Sequence, residues 1–137
     1  MKIRTGRQYL YLGQGISYAN LHDGIQMTAA LERWELKSFI SATLPHEENI
    51  DYSIPGFDKT SDRYFSGPEL SWFPLEPVRL YGYFLSQTDR SDPNPSVGQD
   101  YAYQSQYWGV GGSVSKVRGV SAWAEYILES GSSAIFE

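Results

Sequence analysis

Residues 119–130 read GVSAWAEYILES, and this stretch decides the fold class. Every second side chain from Val120 to Leu128 is apolar, whereas Ser121 and Glu125 belong to the interleaved set. A period of two over this length is typical of a β-strand that has one apolar face and one more polar face. The stretch therefore predicts a long strand near the end of the chain.

The same alternation returns through the rest of the chain and predicts an all-β protein. We predict seven strands with these approximate bounds: 2–12, 24–32, 35–45, 63–75, 78–89, 103–116 and 119–131. Very short connections, which predict hairpin turns, alternate with long ones at 13–23, 46–62 and 90–102 that are rich in Gly, Pro, Asp, Asn and Ser. This rhythm predicts an antiparallel up-and-down meander of about seven to eight strands. Pro68 and Pro74 weaken the assignment of the fourth strand.

The predicted strands are unusually long. Most reach about 9–13 residues, whereas strands of soluble sheets have a mode of about 5–6. A membrane-spanning strand needs about 9–11 residues, and outer-membrane barrels alternate short turns with long loops. The chain has no run of about 18 apolar residues from which a transmembrane helix could form. We therefore predict one domain over 1–137, a transmembrane β-barrel or part of one, in the bacterial outer membrane.

The composition argues against several classes of function. The 137 residues include no cysteine, so a disulfide framework and a thiolate metal site are both excluded. The net charge is −5 and the basic residues are scattered singly, which argues against nucleic acid as a partner. Two histidines occur, His22 and His46, both in predicted loops, and no nucleophile motif is present. We therefore expect neither an enzyme nor a bound metal or other cofactor.

Aromatic residues gather near the ends of the predicted strands. The chain has 4 Trp, 11 Tyr and 6 Phe, a high share for a domain of this size. Aromatic side chains near both strand ends form the girdles with which outer-membrane barrels contact the two membrane interfaces. The alternative is that Tyr is simply favourable in strands. The girdle candidates are Tyr9, Tyr11, Trp34, Tyr64, Trp72, Tyr101 and Tyr103.

Polar residues inside the predicted strands are candidates for a charge filter. If the apolar face meets lipid, these residues line the lumen and select among solutes. Arg7 and Gln8 are neighbours and face opposite ways. By parity with Leu10, we expect Gln8 on the apolar face and Arg7 in the lumen. The alternative is that the charges form cross-strand pairs that only stabilise the wall. The lumen candidates are Arg4, Arg7, Glu69, Arg79 and Glu125.

Two predicted loop segments, 46–62 and 88–100, contain most of the remaining carboxylates. Clustered carboxylates bind Ca²⁺ in some proteins, but neither segment has the spacing of a dedicated calcium loop. We interpret both segments as solvated extracellular loops.

Residues 6–13, GRQYLYLG, followed by LHDGI at 21–25, resemble the alginate-export porin family. Barrels of that family carry a strand with Gly-Arg-Gln, a Gly-containing extracellular loop and a strand that opens with Asp-Gly. The resemblance implies a large outer-membrane porin of which this chain is a piece, because family members are far longer. The count of seven strands favours the same interpretation, since bacterial barrels have an even number of at least eight.

These observations predict a porin-like channel that passes hydrophilic solutes, among them anionic or saccharide ones, by passive diffusion. The expected partners are membrane lipid, the solute, and remaining barrel strands or a partner protein in the lumen. Two alternatives stay open. One is a soluble calycin-like barrel that binds a small apolar ligand inside an apolar interior. The other is a barrel scaffold that sheathes a partner protein and conducts no solute.

Overall fold

The part of the chain that the structure describes forms one antiparallel sheet of seven strands. A computed structural model describes residues 1–44, 62–90, 104–117 and 119–132. The strand order across the sheet follows the chain order, and the edge strands make no contact with each other, so the sheet is not closed. The strands are β1 (Lys2–Tyr11), β2 (Ala19–Leu31), β3 (Trp34–Ala42), β4 (Arg63–Leu75), β5 (Val78–Asp89), β6 (Gln104–Val117) and β7 (Val120–Ser132). The predicted all-β antiparallel meander is confirmed. No helix among the described residues has the length and hydropathy needed to cross a membrane.

The largest difference from the predicted bounds is at the start of β2. This strand begins at Ala19, so residues 19–23 lie in the sheet and not in a long loop. The connection is short because the backbone N–H of Leu12 donates to the carbonyl of Tyr18 at 3.1 Å, which closes residues 12–18 into a tight loop. His22 is therefore a strand residue, paired in register with Gln8.

Both prolines of β4 lie where the ladder to β5 is interrupted. Pro68 stands opposite Ser38 of β3, within the part of β4 that has no registered partner in β5. Pro74 lies in the bulge between Trp72 and Leu75. Since proline has no N–H to donate, both positions are compatible with a long strand.

The two faces of the sheet differ in exposure. One face carries Ile25, Ile40 and Trp108, whose side chains are 57%, 66% and 55% exposed, and we call it the outer face. The opposite face, which we call the inner face, carries buried side chains such as Phe39 and Leu85. In β2, β3, β6 and β7, the alternating apolar residues of the sequence lie on the outer face.

Charged residues are separated between these faces. In β3–β7, every charged residue whose side chain the structure describes lies on the inner face: Glu35, Lys37, Arg63, Glu69, Arg79, Asp89, Glu125 and Glu129. On the outer face of the described strands, the charged residues are Arg7 and Asp23, which stand opposite each other in β1 and β2.

An aromatic and aliphatic cluster packs on the inner face beneath residues 12–18. The Tyr18 ring is stacked on Phe39 at 5.0 Å between centroids and contacts Phe65 at the same distance. The Tyr18 hydroxyl is hydrogen-bonded to His22 Nδ1 and to Ser41 Oγ, each at 2.8 Å. The other buried members are Leu10, Leu12, Tyr81, Tyr83 and Leu85. This cluster fixes the base of the loop to the sheet.

Candidate functional site

The connection between β1 and β2, residues 12–18, lies against the inner face, and we call it the inner loop. The N–H of Gly15 donates to the carbonyl of Leu12 at 2.7 Å, which keeps the loop compact. Gly13 and Gly15 have φ angles of +56° and +86°, a backbone region that glycine adopts at little cost. The loop therefore reaches the strands on the far side of the sheet with only a few residues.

Glu69 on β4 is the ion-paired attachment of the inner loop. Its carboxylate is 1% exposed and lies 3.1 Å from Lys37 Nζ and 2.5 Å from Arg79 Nη2. Arg79 Nε also donates to Ser71 Oγ at 3.1 Å. The second carboxylate oxygen of Glu69 accepts the backbone N–H of Gly13 at 2.7 Å. Two cations and one loop amide thus surround a single buried carboxylate, which satisfies its hydrogen-bonding capacity.

Glu125 on β7 is the second attachment, and its partners are uncharged. It accepts the hydroxyls of Tyr81 at 2.8 Å and Tyr83 at 2.6 Å, and the backbone N–H of Gln14 at 2.9 Å. Ser17 Oγ donates to the Tyr83 hydroxyl at 2.7 Å. None of the described Lys or Arg side chains forms an ion pair with Glu125. The groups that bond directly to this carboxylate among the described residues are therefore dipoles.

Glycines on β6 make room for the two tyrosines to cross that strand and reach Glu125. A Cβ at Gly109 would lie 2.1 Å from Tyr83 Cζ, and a Cβ at Gly111 would lie 2.5 Å from the Tyr81 hydroxyl. Real Cβ atoms do not approach other atoms so closely. The rings of Tyr83 and Tyr81 thus occupy the space that side chains at these two positions would need.

The structure brings three of the five lumen candidates together. Glu69, Arg79 and Glu125 lie on the inner face around the inner loop. Arg4 is on the same face by register but is exposed on the edge strand β1, away from this cluster.

Arg7 lies on the face opposite to the expected one. It stands on the outer face and pairs with Asp23 at 3.3 Å, whereas Gln8 is half-buried on the inner face and donates to the Gly24 carbonyl at 3.1 Å. The parity of Gln8 with Leu10 is as expected. Gln8 and Arg7 nevertheless lie on the faces opposite to those expected, because Leu10 packs under the inner loop and not on the apolar outer face.

Sequence reasoning missed the partners that complete the cluster. Lys37 is one of the alternating polar residues of β3, but nothing in the sequence indicates that it pairs with Glu69. Tyr81 and Tyr83 lie in a strand whose two faces are both apolar, so parity does not assign them to a face. The loop amides of Gly13 and Gln14 give no signal beyond a Gly-x-Gly spacing.

Four of the girdle candidates that the structure describes lie at the two ends of the strands, whereas the ring of the fifth, Tyr11, lies beside Lys37 of the inner face. Trp34 and Trp72 stack at the short-turn end with centroids 5.7 Å apart, and Tyr9 and Tyr64 are exposed at the other end. Lys37 Nζ lies 4.2 Å from the centroid of the Tyr11 ring. Tyr101, Tyr103, His46 and the central parts of both acidic segments lie outside the described residues.

A cleft of about 500 Å³ lies between the inner loop and the short-turn end of the sheet. Gln14 of the loop, Arg79 and Trp123 border it, together with Ser113 and Ser121. Trp123 is on the inner face and is 57% exposed. Within the described residues, no three His, Asp or Glu side chains are grouped as a metal site would require.

Comparison of the chain with family models, with curated proteins and with solved structures gave no match in any of the three. The resemblance to alginate-export porins therefore stays a prediction from the residues quoted above.

Proposed function

We propose that the chain forms part of the wall of a transmembrane β-barrel, and that hydrophilic solutes diffuse through this barrel. The observation that carries the proposal is the separation of charge between the two faces in β3–β7. A soluble sheet that covers its inner face exposes charged and polar side chains on the other. Here the exposed face carries Ile40, Leu70 and Val110, while Lys37 and Glu69 are buried.

A lipid environment accounts for this exposed apolar face. Soluble monomers rarely expose contiguous apolar patches larger than a few hundred Å², and each of the seven strands carries exposed apolar side chains on the outer face, where the charged residues described are Arg7 and Asp23. Tyr64 and Trp72 are eight positions apart on β4. Their separation along the strand is therefore about 26 Å, which a strand tilt of about 40° reduces to about 20 Å. That height is comparable with the apolar band of about 25 Å in outer-membrane barrels.

The two alternatives receive less support. A calycin-like barrel needs an apolar interior for its ligand, whereas the inner face here holds Lys37, Glu69, Arg79 and Glu125. A scaffold that sheathes a partner protein needs a free inner face, whereas the inner loop already occupies part of that face. The polar inner face instead favours water-soluble molecules, and its paired charges favour polar solutes over selection for one sign of charge.

Met27→Arg tests membrane insertion at mid-depth. Met27 is on the outer face opposite Ser38, midway between the two aromatic ends. An arginine there faces lipid and is expected to cost about 2–4 kcal/mol of unfolding free energy in lipid vesicles. The control is Ala30→Arg on the same strand, which lies on the inner face opposite Glu35 and is expected to change little. Urea unfolding of vesicle-embedded protein gives both values.

Solute passage is tested by efflux of sugars and small dyes from vesicles that contain the protein. The expected result is efflux that falls as solute size rises. A protein that remains monomeric and soluble without detergent, and tolerates Met27→Arg and Ala30→Arg equally, would overturn the proposal.

A further inference from the structure

The inner loop connects β1 with β2, yet its tip is bonded to three strands beyond that hairpin. Gly13 donates to Glu69 of β4, Gln14 to Glu125 of β7, and Ser17 to Tyr83 of β5. The loop therefore crosses the inner face from one edge strand of the sheet toward the other. If the inner face lines a passage, this loop lies across it.

The two carboxylates fix the tip unequally. The bond from Gly13 to Glu69 is buried and Glu69 is paired with two cations, whereas the bond from Gln14 to Glu125 is exposed. On the Glu125 side, the three described donors to the carboxylate are neutral, and Arg79 lies over the Tyr81 ring at 4.7 Å without an ion pair to Glu125. Removing the carboxylate charge weakens all three hydrogen bonds together, because bonds to a charged acceptor are about twice as strong as neutral ones.

We propose that the inner loop is a plug across the passage and that Glu125 is the positioning residue that keeps the plug in place. This inference rests on the proposed function. The bond from Gly13 to Glu69 holds one side of the tip on β4, and release at Glu125 moves Gln14 away from β7. The cleft of about 500 Å³ beside Trp123 is bordered by Gln14 of the plug. Release at Glu125 therefore widens this cleft and raises the flux of polar solutes.

A single thiol reports the position of the plug, because the natural chain has no cysteine. Ser17→Cys keeps a small polar group at a half-buried tip position that touches Tyr83. In detergent micelles, the rate of its reaction with a bulky maleimide measures how often the tip leaves the sheet. Glu125→Gln has the same shape without the charge, and we expect it to raise this rate about tenfold.

Two further variants separate loss of the Glu125 charge from general loosening. Glu129→Gln removes a carboxylate on the same strand and face that accepts the Tyr107 hydroxyl, and it should leave the rate unchanged. Tyr81→Phe removes one donor to Glu125 without touching Ser17, and it should raise the rate by a smaller factor, about threefold. Circular dichroism checks that each variant keeps its sheet.

Conductance in planar lipid bilayers then tests the plug itself. We expect Glu125→Gln to increase single-channel conductance at least twofold and Glu129→Gln to leave it unchanged. An equal labelling rate in Glu125→Gln and in the parent Ser17→Cys protein overturns the role of Glu125. Faster labelling with unchanged conductance overturns the plug. If no variant conducts, the proposed function fails, and the labelling rates alone then show whether Glu125 holds the loop.

Discussion

The surroundings of Glu69 and Glu125 differ, although both carboxylates accept a backbone N–H of the same loop. Glu69 is buried between Lys37 and Arg79, whereas Glu125 is half-buried and accepts two tyrosine hydroxyls. A buried charge that is neutralised by cations cannot lose one member without leaving the others uncompensated. The described donors to Glu125 are neutral, so none of them becomes an uncompensated charge when that carboxylate is removed. The same acceptor chemistry thus gives one rigid attachment and one that breaks more easily.

Glu69→Gln is the change with the largest expected effect, because it leaves the ammonium of Lys37 and the guanidinium of Arg79 without their shared counter-charge. We expect a loss of about 3–5 kcal/mol of unfolding free energy, measured by urea unfolding followed by tryptophan fluorescence. Glu129→Gln on the same face of β7, where the carboxylate accepts the Tyr107 hydroxyl, is the control. A loss below about 1 kcal/mol for Glu69→Gln would mean that the two attachments do not differ as described.

Gly109→Ala tests the surroundings of Glu125 by placing a methyl group where the Tyr83 ring lies. The new Cβ overlaps the Tyr83 ring, so the ring has to shift and its bond to Glu125 is strained. We expect a loss of about 1–3 kcal/mol, typical of overpacking. Gly82→Ala is the control, because a Cβ there has no neighbour closer than 3.7 Å. Equal unfolding free energies for the two variants would show that the tyrosine does not lie across β6.

Tyr81→Phe removes one of the three donors to Glu125 and leaves the packing unchanged. Since the carboxylate keeps two donors, we expect a loss of about 1–2 kcal/mol, less than for Glu69→Gln. Tyr107→Phe removes an exposed hydroxyl bond to Glu129 and should cost less. The reverse order of these two tyrosine variants in urea unfolding would contradict the importance of the Glu125 cluster.

Arg7→Ala extends the comparison to an ion pair outside the inner face. Arg7 and Asp23 are exposed, lie 3.3 Å apart and are level with Tyr64 at the aromatic end of the outer face, where water at the interface screens their attraction. We expect no measurable change in unfolding free energy in detergent micelles. A clear loss would show that the pair lies deeper than the membrane interface, where detergent or lipid in place of water surrounds the outer face.

The strand pattern could be predicted from the sequence, because alternation depends on backbone geometry alone. β4 and β5 have the predicted bounds, and the apolar sets of β3 and β7 lie on the outer face. The inner cluster could not be predicted to the same degree. Pairing of Lys37 with Glu69 depends on the register between strands, and the assignment of Gln8 to a face depends on what covers Leu10.

The contact between Gln14 and Glu125 has a consequence for the order of folding. All strand pairings join neighbours along the chain, so the sheet can grow one hairpin at a time. The Gln14–Glu125 bond instead joins residues 111 positions apart. Contacts of such separation form slowly, because a long segment of chain must first be ordered. The tip of the inner loop therefore reaches its native position only after β7 has joined the sheet, as a late step in folding.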